Sequence, residues 1–138
     1  MRRSPLAGLA LAATLLAAPA WGESTRYVLE HGVVSVDTAV RPAADGRGEF
    51  TLVLHPGEGV RLNAAAGVTV FVEEPARMRP VAVATGQRGR FYFTAPPTAV
   101  FTEPDGVGEV VVNFAYCPAA RDDCLIDDIR VALPVMEN

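Results

Sequence analysis

Beyond residue 22, apolar and polar positions alternate with a period of two, and clusters of Pro, Gly and Asp interrupt the alternation. That period places successive side chains on opposite faces of an extended strand. "RYVLEHGVVSVDTAV" predicts one or two early strands. "GEFTLVLHPG" alternates cleanly, with Phe50, Leu52 and Leu54 on one face and Thr51 and His55 on the other. "HPGEG" is a turn, because Pro fixes φ and Gly permits positive φ. "GVTVFVEEP" predicts a strand stopped by Pro75, and "PVAVATG" and "GRFYFTAP" two more, joined through "TGQRG". "TAVFTEPDGVGEVVVNFAYC" predicts a strand, a Pro-Asp-Gly turn and a longer strand, and "CLIDDIRVALPV" closes the chain. Only "RLNAAAG" leaves room for a helical turn.

Seven to nine short strands, spaced by about 8–12 residues and without intervening helices, predict an all-β fold with antiparallel pairing. The expected architecture is a two-sheet, immunoglobulin-like sandwich.

The first 22 residues have a different pattern. Arg2 and Arg3 precede an apolar run, Leu6 to Ala18, and "APAWG" supplies small residues at its exit. This predicts a secretory signal peptide over 1–22, cleaved after Gly22 or, alternatively, after Ala20. The run is too short for an ordinary membrane span. An ordinary positive n-region accounts for the arginine pair. The predicted domain is then 23–138, and the predicted location is the periplasm or the exterior. From Glu23 onward ten arginines face sixteen acidic residues, a formal charge of −6. That balance argues against nucleic acid and anionic membranes as partners.

Cys117 and Cys124 are the only two cysteines. Export into an oxidising compartment makes one intramolecular disulfide their simplest state. The intervening "PAARDD" is turn-rich and both flanks are strand-like, which places the pair at the mouth of a hairpin. Counting alternate positions puts Cys117 with Val111, Asn113 and Ala115, and Cys124 with Asp128, Arg130 and Ala132. Both are the more polar faces of their strands. Three roles stay open on the residues alone: a structural staple, a redox pair and a metal clip. A staple closing so short a loop contributes about 2.5 kcal/mol in the chain-entropy model. The spacing is not the Cys-x-x-Cys of a thioredoxin-type site. Asp122, Asp123, Asp127 and Asp128 surround Cys124 and would raise a thiolate pKa, while Arg121 and Arg130 oppose them.

Other chemistries fare worse. A copper site would draw on Cys117, Cys124, Met136, His31 and His55, but no His follows Cys117. A hydrolase would need Ser24 or Ser35, and no motif surrounds either. No cofactor and no metal is expected. A non-catalytic module that binds a partner by strand addition is the competing reading.

Two stretches carry a family resemblance. "FTLVLHPGEGVRLNAAAGVTVFVEEP" gives a strand, a Pro-Gly turn, an Asn and a strand. "VVVNFAYCPAARDDCLIDDIRVALPV" gives a strand ending in Tyr-Cys, a short loop, a second Cys and a strand ending in Pro-Val. Together they resemble the N-terminal periplasmic domain of the thiol:disulfide interchange protein family DsbD, and the related C-terminal β-domain of thioredoxin-like proteins with NHL repeats. The resemblance implies a redox-active disulfide in a terminal hairpin, with Cys117 and Cys124 as the exchanging pair and Tyr116, Asp122 and Asp123 beside it. It implies a thioredoxin-fold or membrane thiol-disulfide protein as partner, and Cys124 as the sulfur that forms the mixed disulfide. That family shields its disulfide with an aromatic-bearing cap loop. The corresponding stretch here, "VEEPARMRP", offers only Met78, and "GRFYF" is the other source of aromatic cover.

Overall fold

The computed structural model describes residues 20–22, 24–104 and 106–136, and within these it has ten strands and no α-helix. In chain order they are β1 (Ala20–Trp21), β2 (Thr25–Leu29), β3 (Gly32–Pro42), β4 (Gly48–Pro56), β5 (Val60–Leu62), β6 (Val68–Glu74), β7 (Arg77–Val83), β8 (Thr98–Glu103), β9 (Glu109–Pro118) and β10 (Leu125–Ala132). One sheet has the order β1-β3-β4-β8, with β2 also on β3; the other has the order β10-β9-β6-β7, with β5 also on β9. All pairings between strands are antiparallel. The expected all-β, two-sheet antiparallel sandwich is the fold.

The alternation of the sequence becomes the core directly. Val34, Val36 and Val40 of β3, Phe50, Leu52 and Leu54 of β4, and Phe101 of β8 are buried from one sheet. Val68, Val70 and Val72 of β6, Val110, Val112, Phe114 and Tyr116 of β9, and Ile129 and Val131 of β10 meet them from the other. Phe50 and Phe101 stack at 5.7 Å between ring centroids. Glu103 ends the inward face of β8 and is buried. Its two carboxylate oxygens take the guanidinium of Arg79 on β7, at 2.8 and 3.4 Å, and so tie the sheets together at one edge.

Several boundaries depart from expectation. Gln87 to Thr94 forms a small hairpin of its own, with Gly89 N–H donating to the Tyr92 carbonyl and Thr94 N–H to that of Gln87. "GRFYFTAP" is therefore a turn and a return leg rather than a full strand. Pro96 and Pro97 have no N–H with which to extend a ladder. "RLNAAAG" is β5 followed by a turn that the Asn63 side chain closes on the amide of Ala66, at 2.8 Å. The core of the predicted signal peptide, 1–19, lies outside the described residues. Ala20–Trp21, beside the predicted cleavage site, pairs with Val40 and Ala39 of β3.

Phe114 sits at the centre of the second sheet, 1% exposed and in ring contact with Tyr116. Phe114→Ala should lower the unfolding free energy by about 3–5 kcal/mol, read from urea denaturation with an unchanged slope.

Candidate functional site

The site grows out of β9. On one side β9 pairs with β10 over its length; on the other it pairs with β6 and then, nearer its end, with β5. Leu125 faces Tyr116 in the β9–β10 register, so the next pair outward is Cys124 opposite Cys117. They form a disulfide with Cα atoms 4.1 Å apart. This is the close, non-hydrogen-bonded kind of cross-strand pair. The predicted hairpin and disulfide are both present. The loop between the cysteines is pinned where Ala119 N–H donates to the Gly59 carbonyl at 2.7 Å.

The two cysteines differ in exposure. Cys124 is exposed, whereas Cys117 is 5% exposed. Period-two counting marked Cys117's face as the polar one, and that expectation is corrected. Val111 and Ala115 on the same face are also buried, because β9 is a central strand with neighbours on both sides. Arg61 of β5 stands directly opposite Cys117, and its guanidinium lies 4.1 Å from the centroid of the Tyr92 ring. Asn63, bridged to Tyr92, points its side-chain amide at the Cys124 sulfur, 3.9 Å away. Phe91 is carried on the same leg, its carbonyl accepting from Ala64 N–H at 2.8 Å, and the residue is 55% exposed.

The aromatic segment beside the disulfide is thus "GRFYF", held by backbone bridges to residues 62–64. Met78 is far away. It pairs with Glu73, whose register position lies against the start of β9, eight residues before Cys117 and so about 26 Å along the strand. Sequence alone placed "GRFYF" nowhere, since isolated bridges leave no periodic signal.

Tyr116 lies beneath the disulfide rather than beside it on the surface. It is 1% exposed, and its hydroxyl accepts from the backbone N–H of His31 at 3.3 Å. His31 is in the β2–β3 turn, which presses so closely that a Cβ on Gly32 would meet Val60 at 2.6 Å. Asp122 and Asp123 are exposed in the disulfide loop. Arg121 binds Asp123 at 2.9 and 3.2 Å, which holds that carboxyl below its usual range. Arg130 is not a neighbour of Cys124. It is drawn down the sheet to Glu73 at 2.8 Å and Glu109 at 3.2 Å. Asp128 accepts from Asn113 at 2.6 Å, and Asp127 from the backbone N–H of Asp128 at 2.8 Å.

On the outside of the other sheet, Asp37 accepts hydrogen bonds from Ser24 and from His55, the latter at 2.9 Å. Its carboxyl is held below the ordinary range, first by Ser24 and then by His55. Among the described residues no group of three His, Cys, Asp or Glu is placed to hold a metal ion. No helix of the described residues is long and apolar enough to cross a membrane.

A disulfide-bearing all-β sandwich domain is what fold and site define. Comparison with family models, with curated proteins and with solved structures returns no match to this chain.

Cys117→Ala/Cys124→Ala should lose about 2–4 kcal/mol of stability while keeping the far-ultraviolet circular dichroism of the sandwich. Asp37→Asn tests the second cluster. A depressed carboxyl stabilises the fold above its unfolded-state pKa, and that contribution disappears as pH falls through the folded-state value. The variant should therefore have a lower urea midpoint than the parent at neutral pH, and the gap should close in strong acid.

Proposed function

We propose that this chain is an exported thiol-disulfide exchange domain, working through Cys117–Cys124 with a thioredoxin-fold or membrane thiol-disulfide partner. The observation that carries the reading is the unequal exposure of the two cysteines: Cys124 exposed beside the edge strand, Cys117 buried on the central strand opposite Arg61. On this reading the incoming thiolate approaches Cys124, the exposed residue of the pair. It attacks that sulfur, the Cys117–Cys124 bond breaks, and the electron pair leaves on Cys117 as a thiolate that then takes a proton. The partner's second thiol displaces Cys124 from the mixed disulfide. The partner ends oxidised and this chain reduced by two electrons and two protons. Donation runs the other way: the Cys124 thiolate attacks a disulfide, and Cys117 resolves it. No cofactor enters.

The residues around Cys124 support a carrier that reacts on docking rather than freely. Asp122, in the disulfide loop, disfavours a nearby thiolate, and the loop's arginine, Arg121, is engaged by Asp123. The "GRFYF" leg, bridged to residues 62–64, is the aromatic segment that would supply the cover the DsbD-like resemblance implies. An interaction module with a purely structural disulfide is the second reading. It is favoured by the anchoring of the loop to Gly59.

Cys117→Ser, expressed in the native compartment, should accumulate a mixed disulfide through Cys124 with a thioredoxin-fold protein, seen on non-reducing gels and identified by mass spectrometry. Cys124→Ser, which leaves only the buried sulfur, should trap far less. Failure of both variants to trap any partner would count against exchange.

A further inference from the structure

The outer edge of β10 is an open line of backbone groups running away from the disulfide. β10 has one strand neighbour among the described residues, β9. The phase of its hydrogen bonds follows from the strand beyond. The Ala115 carbonyl accepts from Asn63 N–H at 3.0 Å and so points away from β10. Ala115 and Ile126 are therefore a non-hydrogen-bonded pair, and the amide and carbonyl of Ile126 face outward. The same holds at every second residue: Asp128, Arg130 and Ala132. One outward amide is already closed, since Asp128 N–H donates to the Asp127 carboxylate. The others present the unpaired groups onto which an extended segment adds.

The side chains along this edge say what would add there. Ile126 stands on the same face as Cys124 and is 75% exposed, an apolar contact two residues from the sulfur. Asp122, Asp127 and Asp128 lie along the same stretch. Its two arginines are committed, Arg121 to Asp123 and Arg130 to Glu73 and Glu109. The edge is negative, and a second copy of the same strand would set these carboxylates against each other. The far edge of this sheet is less open: β7 carries Pro80, is offset by a register shift against Val70/Phe71, and commits Arg79 to Glu103 across the sheets.

We propose that the outer edge of β10 docks an extended, basic segment of a partner protein, which joins the sheet as an additional strand and carries Lys or Arg against Asp122 and Asp128. Such a segment would bring its own protein's reactive group to Cys124 if the disulfide exchanges. It would serve equally as the binding site of a non-catalytic module, so the proposal stands apart from the exchange reading.

The test uses the oxidised protein and cysteine-free peptides, so no redox step enters. A fluorescein-labelled eight-residue peptide alternating Lys and Val is titrated by fluorescence anisotropy at low salt. It is compared with the Glu-for-Lys peptide and with the Lys peptide N-methylated at alternate residues. The expected result is saturable binding of the Lys peptide, at least about tenfold weaker binding of the Glu peptide, loss on N-methylation, and weakening as salt rises. Asp122→Asn/Asp128→Asn should weaken binding and flatten its salt dependence. Ile126→Pro should abolish binding, because the amide it removes points outward and an edge strand tolerates that loss. If Ile126→Pro fails to fold, the N-methylated peptide decides alone. Equal binding of the Lys and Glu peptides, binding that survives N-methylation, or no binding at millimolar peptide would overturn the proposal. A protein dimer in sedimentation that Ile126→Pro dissociates would overturn it in favour of a second copy as the occupant.

Discussion

Everything at the candidate site depends on β9 being bonded along both edges and covered on both faces. Its inward residues, Val110, Val112, Phe114 and Tyr116, are held in the core between the sheets. Its outward residues Val111, Ala115 and Cys117 are buried by neighbours on either side. A one-residue slip would reverse the two sets, so burial fixes the register. That register puts Cys117 opposite Cys124 on one side and opposite Arg61 on the other. The disulfide is thus positioned by the hydrophobic core rather than by the loop that it closes.

The same constraint makes the two cysteines unequal. Cys117 belongs to a central strand and Cys124 to an edge strand, so a shared outward face gives burial to one and exposure to the other. Exchange needs one cysteine that can be reached and one that can leave, and unequal exposure fits that need. A staple needs neither. Asymmetry is therefore the physical feature that favours exchange, and it follows from strand position alone.

Much of this was legible in the sequence. Phe50, Leu52 and Leu54, alternating with polar neighbours, specified the inward face of β4, and the parity of Val110 to Tyr116 specified that of β9. Two strand-like flanks around a turn-rich loop were enough to predict the cysteine hairpin. What escaped was non-local. Period-two counting distinguishes faces but not central strands from edge strands, and so it misjudged Cys117. The segment from Arg90 to Phe93 bonds to residues 62–64 through single bridges, and such contacts depend on the whole fold. Arg130 was taken as a neighbour of Cys124, yet Glu73 and Glu109, distant in sequence, draw it away. The hydrogen bond from His31 to the Tyr116 hydroxyl likewise has no sequence signal.

The most direct test of the exchange reading is the reduction potential of Cys117–Cys124, measured by thiol trapping in defined redox buffers. An exchange domain predicts a value between about −270 and −120 mV, where known exchange proteins lie. A value below about −300 mV, with slow equilibration, is that of a structural bond and would contradict it.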